Sequence, residues 1–183
     1  LQPRFEEQVT AIERTEGVFT LTTPRGRYRA RTVLLAIGRR GTPRTLDVPG
    51  EELDKVVYRL IDPEQYAGRR VLVVGGGDSA LEAAVQLAEQ PGTEVTLSYR
   101  SKAYARARAK NRDRMTAAVA AGQVRELLGS EVTAIDREQV TLRQGETELA
   151  IANDIVIVCA GGVLPTQFLR DIGIAVETKF GVS

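Results

Sequence analysis

Polar and apolar positions alternate with a period of two in two separate parts of the chain, and both parts end in an unbroken apolar run. The first part starts with VTAIER at Val9 and continues through VFTLTT, a Pro-Arg-Gly turn and YRARTV to LLAIG. The second starts with VTAIDR at Val132 and continues through QVTLRQ, a Gly-Glu turn and TELAIAND to IVIVCAG. Each pattern predicts three short strands of a β-meander, followed by a wholly apolar strand that ends at a glycine.

The two parts have the same offset at their starts and ends and stay in register across insertions of a residue or two. Val9 and Val132 are 123 positions apart, and so are Gly38 and Gly161. Two domains of one type in tandem explain such a repeat most simply. The alternative is that meanders built from Val, Thr and Ile resemble each other by composition alone. The shared hexapeptide and the shared strand-to-glycine ending at one offset favour the repeat.

A glycine-rich turn precedes the second part. The segment RRVLVVGGGDSALEAAVQLAEQ has an apolar run at Val71–Val74, three glycines and a helical period from Ser79 to Gln90, and TEVTLSYR supplies another strand. In the resulting GxGxxA pattern, Gly75 permits the tight turn, Gly77 lets the backbone approach a pyrophosphate, and Ala80 lets the helix lie close to the sheet. This context favours dinucleotide binding over an ordinary glycine-rich turn.

The residues at the turn and at the end of the second strand indicate the nucleotide. Free N–H groups at a helix start hold phosphates, so we expect these contacts from Gly75, Gly76, Gly77, Asp78 and Ser79. An NAD site usually has a carboxylate at the end of the second strand, but this strand ends in Ser-Tyr-Arg-Ser-Lys. The guanidinium of Arg100 suits a 2′-phosphate, which favours NADP over NAD. The alternative for Arg100 is a solvated strand end.

Composition excludes several kinds of chemistry. The 183 residues carry a net charge of +1, contain no histidine, and have Cys159 as the single cysteine. These counts exclude a disulfide framework, a Cys/His zinc site and a His-based triad. No apolar run approaches the roughly 20 residues of a membrane helix, so we expect a cytoplasmic protein with no membrane partner.

Basic residues crowd between Arg100 and Arg114. Aromatic residues among them are limited to Tyr99 and Tyr104, and a basic stripe along a whole face is missing, so we expect no nucleic-acid partner. The more distant members are better interpreted as solvated side chains of a loop and helix start than as phosphate ligands. They are Arg106, Arg108, Lys110, Arg112 and Arg114.

The tandem dinucleotide pattern, GGGDSA and the strand ending in Tyr-Arg resemble the thioredoxin reductase-like group of FAD- and NAD(P)-dependent pyridine nucleotide-disulfide oxidoreductases. The resemblance implies an α/β fold: a Rossmann-like nucleotide-binding domain, with a parallel sheet and an antiparallel β-meander, flanked by partial FAD-domain segments. The expected limits are 1–50 for the end of the FAD-type domain, 51–68 for a crossing linker, 69–161 for the NAD(P)H-binding domain and 162–183 for the return segment.

The resemblance also assigns residues. TVLLAIG, at Thr32–Gly38, resembles the FAD-domain strand and glycine near that cofactor. PGEE from Pro49 resembles the start of the linker, and VCAGGVLP resembles the return crossing, which adds Ala160 and Gly161 to the cofactor site. Glu82 stands where related reductases place a glutamate near the nicotinamide, although an exposed helical glutamate fits the pattern equally well.

The family's basic signature HRRxxxR is altered here. Arg100 matches its first arginine, whereas Ser101 and Ala105 stand where two others are expected, and Lys102 and Arg106 are the candidate substitutes. The predicted cofactor site is therefore Gly75, Gly76, Gly77, Asp78, Ser79, Glu82, Tyr99, Arg100, Ser101, Lys102, Arg106, Ala160 and Gly161, with no catalytic side chain and no metal ligand.

The family's CxxC is missing. At about its position the chain has Tyr58-Arg59-Leu60-Ile61, and without a thiolate pair electrons cannot pass from flavin to a protein disulfide. The pattern fits dithiol-free relatives, such as ferredoxin–NADP reductases of the thioredoxin reductase type or bacillithiol-disulfide-reductase-like flavoproteins. A non-catalytic nucleotide-sensing or interaction module is the alternative.

The position of the turn predicts a fragment. Gly75 lies 57 residues before Val132, so the corresponding turn of the first copy is expected about 48 positions before Leu1. We therefore expect a piece of a flavin-dependent oxidoreductase that binds NADPH but not FAD and is inactive alone. In the intact protein NADPH would reduce FAD, which would reduce a small-molecule or redox-protein acceptor, and a homodimer is compatible with the resemblance.

Overall fold

The computed structural model describes residues 2–37, 42–163 and 165–177. The chain forms two compact units, Leu1–Thr42 with Val163–Ser183, and Pro43–Gly162. The four domain limits expected from the sequence stay a prediction. Within the described ranges, no helix has the length and apolar character needed to cross a membrane.

The first unit contains an antiparallel meander, as predicted. Its strands are β1 (Ala11–Thr15), β2 (Val18–Thr23) and β3 (Gly26–Ala30), in the order β1-β2-β3. Glu16 and Gly17 join β1 to β2 with φ angles of 51° and 79°, which is the geometry of a two-residue hairpin turn.

The prediction of an apolar strand after this meander is wrong for residues 32–37. Residues 32–37 have no regular secondary structure, and the side chain of Leu34 is 91% exposed. An all-apolar strand is stable between two neighbours in a covered sheet, and no described strand pairs with this segment. Gly38, the predicted end of the strand, lies outside the described residues.

The second unit contains most of the regular structure. Its elements follow β4 (Thr42–Pro43) and are β5 (Val56–Val57), a 3₁₀ helix (Pro63–Tyr66), β6 (Arg70–Val74), α1 (Asp78–Ala88), β7 (Glu94–Tyr99), α2 (Ala109–Ala120), β8 (Val124–Leu128), β9 (Ser130–Ile135), β10 (Gln139–Gln144), β11 (Thr147–Ala152) and β12 (Ile155–Val158). Strand β13 (Gly162–Val163) includes the last residue of this unit, and helix α3 (Thr166–Asp171) belongs to the first unit.

Five of these strands form a parallel sheet in the order β5-β12-β6-β7-β8. The strand that comes last in sequence, β12, therefore lies between the two that come first. Parallel strands need crossover connections, and α1 and α2 supply two of them. The predicted α/β fold with a parallel sheet and an antiparallel meander is confirmed.

Alternate side chains of the central strands enter two cores. Val71 and Val73 of β6 pack with α1 and α2, whereas Leu72 packs with the second meander. All three are at most 2% exposed, and each such side chain contributes about 1.5–3 kcal/mol through burial. The continuous apolar run of β6 is thus explained by burial of both faces of the strand.

The second meander covers the sheet face opposite the helices. Its antiparallel order is β11-β10-β9, and its inward residues include Val132, Val140 and Leu142. A register shift between Thr141 and Leu142 marks a bulge in the β9–β10 pairing. The second part of the sequence repeat therefore gives a meander and a buried strand, as predicted.

A charged pair closes the amino end of β6. The Arg70 guanidinium donates to both carboxylate oxygens of Asp154, at 2.6 and 3.1 Å, and the Arg70 amide donates to the same carboxylate at 2.8 Å. These hydrogen bonds lower the pKa of Asp154 to about 2. The pair links residues 84 positions apart across the sheet.

Candidate nucleotide-binding site

The turn after β6 admits only glycine at its first position. Gly75 has a φ of 143°, and its amide donates to the Ser98 carbonyl at 2.9 Å. A β-carbon on Gly75 would stand 2.5 Å from the Cys159 carbonyl oxygen and 3.2 Å from the β-carbon of Ala80. The turn is therefore enclosed by β7, β12 and α1, and the small side chain of Ala80 permits the close approach of the helix.

The next two glycines have different surroundings. A β-carbon on Gly76 would overlap the ring of Tyr99, so this ring lies directly against the turn. Apart from Gly77 and its two chain neighbours, no atom of the described residues lies within 4 Å of the β-carbon position at Gly77. Gly77 has extended backbone angles, with φ −95° and ψ 179°, that other residues also adopt. The open space beside Gly77 thus leaves its backbone accessible to a ligand.

Helix α1 begins at this open space. Gly77 is its N-cap, and the Gly77 carbonyl accepts the amides of Ala80 and Leu81 at 3.0 and 3.2 Å. The amides of Asp78 and Ser79 belong to the first turn, where the helix itself provides no carbonyl acceptor. Together with the helix dipole they favour an anion, and the exposed Ser79 leaves access from solvent.

The carboxylate of Asp78 is used elsewhere. Its Oδ1 accepts the Arg108 amide at 2.8 Å and the Asn111 side-chain amide at 2.7 Å. These hydrogen bonds lower the pKa of Asp78, the Arg108 amide most strongly. The same Asn111 nitrogen donates to Glu82 Oε1 at 2.8 Å. The main-chain amide of Asp78, rather than its carboxylate, is therefore in a position to bind a phosphate.

Tyr99 and the residues after it form the other side of the turn. The Tyr99 and Tyr104 rings stack with centroids 5.7 Å apart, and the Tyr104 hydroxyl donates to Glu126 at 2.6 Å. Burial and this hydrogen bond raise the pKa of Tyr104. Basic and polar side chains along this segment are exposed to solvent; the predicted site residues among them are Arg100, Ser101, Lys102 and Arg106.

The end of β12 lies beside the same turn. In the sheet register Val74 pairs with Ser98 on one side and with Val158 on the other, so the residues after them share one edge. Ala160 is half-buried against the meander-side core. Gly161 is exposed, and its carbonyl accepts the Arg44 amide at 3.0 Å.

The structure thus places the predicted glycines, Tyr99 and the end of β12 at the carboxyl edge of the parallel sheet, where ligands of such sheets bind. Asn111 was missed by the sequence analysis. Asn111 is 7% exposed, which only the structure reveals, so no signal in the sequence could have found it. Its partners lie on another helix, which a sequence pattern does not reveal.

A groove of about 840 Å³ lies at the opposite edge, lined by Arg70, Asp136, Arg137, Glu138, Gln139, Ala152 and Asp154. It is open and polar, and it contains neither a helix start nor a glycine turn. The Arg70 and Asp154 charges in it already pair with each other. We therefore take the carboxyl edge, rather than this groove, as the candidate nucleotide site.

A glycine turn enclosed by β7, β12 and α1, at the carboxyl edge of a parallel sheet, is the arrangement of dinucleotide-binding folds. The family model described as pyridine nucleotide-disulphide oxidoreductase matches residues 1–181, and the chain belongs to this family. The family expected from GGGDSA and the repeat is thus confirmed. These proteins are flavin-dependent oxidoreductases, whose members pass electrons to redox-protein or small-molecule acceptors.

The similar proteins include Bdr reductases and ferredoxin–NADP reductases. The chain is 31% identical over 167 residues to bacilliredoxin reductase Bdr of Bacillus subtilis, covering 90% of this chain and 51% of that protein. It is 32% identical over 183 residues to a ferredoxin–NADP reductase of Ignicoccus hospitalis, with coverages of 95% and 57%. The structure of bacillithiol disulfide reductase Bdr from Staphylococcus aureus matches with a TM-score of 0.82 at 29% identity, covering 94% of this chain and 54% of that one. The chain spans about half the length of these relatives.

Proposed function

We propose that this chain is the NADPH-binding portion of a flavin-dependent oxidoreductase. The observation that carries the proposal is the open backbone of Gly77 at the start of α1, beside a strand end without a carboxylate. The bound nicotinamide would supply a hydride, which FAD in the intact protein would accept and pass on as electrons to a redox protein or small molecule.

The residues of the turn would hold and orient the cofactor. The amides of the first turn of α1 and the glycine backbone would bind the pyrophosphate, where fixed N–H dipoles replace water as hydrogen-bond donors. Arg100 would bind the 2′-phosphate with its planar guanidinium, and Lys102 and Arg106 would add positive charge. Glu82 would lie near the nicotinamide, as the family resemblance implies, and Ala160 and Gly161, at the return crossing, complete the proposed site.

The remaining parts of the chain would belong to the flavin side of the protein. We propose that residues 1–50 and 162–183 are FAD-domain segments, with residues 51–68 as the linker between the domains. The absence of cysteine from Tyr58-Arg59-Leu60-Ile61 argues against electron transfer through a dithiol on this segment. A cytoplasmic location and a homodimer are further parts of this proposal.

Titration calorimetry of the full chain with NADPH, NADH and FAD tests it. We expect NADPH to bind more tightly than NADH and FAD not to bind, because a complete dinucleotide turn is present only in the second copy of the repeat. Tight FAD binding by these residues, or no binding of either pyridine nucleotide, would overturn the proposal. All titrations need one ionic strength, since phosphate contacts are screened by salt.

A further inference from the structure

Residues 100–108, here called the basic segment, connect β7 to α2 and lie close to the proposed nucleotide site. The segment has no helix or strand, and its four cationic side chains are exposed; they are Arg100, Lys102, Arg106 and Arg108. An irregular exposed segment is mobile unless it is attached to rigid elements. Its attachments therefore decide whether these charges are already in place when a nucleotide arrives.

One attachment is aromatic. Tyr99, just before the segment, lies against Gly76 of the turn and stacks on Tyr104 within the segment. Tyr104 in turn donates to Glu126 of β8, and Ala107, which is 4% exposed, donates its amide to the Tyr104 carbonyl at 3.2 Å. The first half of the basic segment is thus fixed to the sheet.

A second attachment is polar and centres on Asn111, and further hydrogen bonds join the Ser101 and Ala107 carbonyls to the Gly129 amide and the Arg112 guanidinium. The Arg108 amide, at the end of the segment, and the Asn111 side chain both donate to Asp78 Oδ1, and Asn111 also donates to Glu82. Asp78 and Glu82 stand one turn apart on α1, where two like charges repel each other. A single buried amide between them offsets this repulsion and joins the start of α2 to the start of α1.

The strength of this attachment follows from its chemistry. Hydrogen bonds from an amide to a carboxylate are about twice as strong as those between neutral groups. The Arg108 guanidinium, 3.7 Å from Asp78 Oδ2, adds an ion pair that its 85% exposure makes weak. Most of the tether is therefore expected to come from the two amide donors.

We propose that Asn111 is a positioning residue that sets the preference for NADPH over NADH, by holding the basic segment against the start of α1. This inference rests on the proposed function. If the tether is lost, the second half of the segment, which includes Arg106, must be ordered at the moment of binding, and the cost falls on the ligand that contacts it. NADPH contacts the segment through its 2′-phosphate, whereas NADH has no such group.

The test measures dissociation constants of NADPH and NADH for the full chain and for Asn111→Leu. We expect the ratio of the NADH to the NADPH constant to fall about five- to tenfold, with NADH affinity changing less than about twofold. Asp78→Ser removes the shared acceptor at a partly exposed helix start, and it should lower the ratio similarly. The double variant should lose less than the sum of the two single losses, because Asp78 and Asn111 share one hydrogen bond.

Arg114→Gln provides the matched control. Arg114 pairs with Glu89 at 3.5 Å and so joins the same two helices away from the turn. The ratio should stay unchanged in this variant. A ratio that falls equally in Arg114→Gln, or that is kept in folded Asn111→Leu and Asp78→Ser, overturns the inference alone. An unmodified chain that binds neither nucleotide overturns the proposed function instead. Near-ultraviolet circular dichroism identifies variants that have not folded. If Asn111→Leu does not fold, the result for Asp78→Ser tests the inference in its place.

Discussion

The carbonyl oxygen of Cys159 lies 2.5 Å from the position that a β-carbon on Gly75 would occupy, and the carbonyl carbon lies 2.9 Å from it. The end of β12 thus closes directly onto the turn after β6. Both neighbours are backbone atoms, which cannot move aside as a flexible side chain can. The turn conformation and the sheet are therefore coupled at this point.

Gly75→Ala should destabilise the fold. The substitution forces a β-carbon into the Cys159 backbone at a φ of 143°, so we expect the free energy of unfolding to fall by about 2–4 kcal/mol. Urea denaturation measures the loss. Gly77→Ala is the control, since its β-carbon meets open space and its φ is ordinary. Equal stability of the two variants would contradict the steric account.

Gly77→Val should separate binding from folding. The branched side chain would fill the space proposed for the pyrophosphate, so NADPH binding should be lost. Valine is a poorer N-cap than glycine, which should cost about 1 kcal/mol of stability. Calorimetry and denaturation measure the two effects.

Gln86→Val, on the exposed face of α1, is the matched control for this variant. It places the same side chain on the same helix but away from the turn, and NADPH binding should be retained. If Gly77→Val binds NADPH like the unmodified chain, the turn is not the site.

Arg100→Ala should change cofactor preference. Loss of a charge-assisted hydrogen bond to the 2′-phosphate should weaken NADPH binding by about 1.5–3 kcal/mol, or roughly tenfold and more, and leave NADH nearly unchanged. Arg106→Ala should show a smaller effect of the same sign. Paired dissociation constants at one ionic strength measure both.

Arg143→Ala is the control for lost positive charge, since Arg143 pairs with Glu131 on the second meander. Its effect on both nucleotides should be slight. Equal losses of NADPH and NADH affinity in Arg100→Ala would mean that Arg100 binds the shared part of the two cofactors, and the NADP assignment would be withdrawn.

Asp154→Asn should destabilise the chain in a pH-dependent way. The pKa of Asp154 is lowered from 3.8 to about 2, so the charged form contributes stability at neutral pH, and this contribution is lost as the pH falls from about 4 towards 2. At pH 7 we expect a loss of about 1 kcal/mol, since the pair is partly exposed. The stability difference from the unmodified chain should shrink as the pH falls through this range.

Glu131→Gln tests whether any ion pair behaves in this way. Its pair with Arg143 has both side chains 56% exposed, so its loss should change the free energy of unfolding by less than about 0.5 kcal/mol. Denaturation of both variants at several pH values between 7 and 2 gives the comparison. A stability difference for Asp154→Asn that does not depend on pH would contradict the role of its charge.

The turn and the fold class could be predicted because each relies on local requirements. Gly75 and Ala80 each satisfy a separate steric condition of the turn, and these conditions appear as a fixed spacing. The run of apolar residues in β6 likewise follows from burial on both faces. Such features need no knowledge of distant parts of the chain.

The tether at Asn111 and the missing strand at residues 32–37 could not be predicted for the opposite reason. Asn111 acquires its role from Asp78, 33 positions away, and the hydrogen bond between them leaves no periodic signal. Residues 32–37 have the composition of a buried strand but no paired strand within the described part of the chain. Local pattern indicates what a segment can form, whereas its neighbours decide whether it does.

The position of β12 between β5 and β6 has a consequence for folding. Ile155 pairs with Val71, so the central pairing of the sheet closes a loop of more than 80 residues. Pairing over such separations is slow, because the entropy of loop closure must be overcome before the contacts form. During synthesis β6, β7 and β8 leave the ribosome well before β12, which pairs with β6. Until β12 arrives, the apolar edge of β6 is open to pairing with other chains, and protection by a chaperone would matter most in this interval.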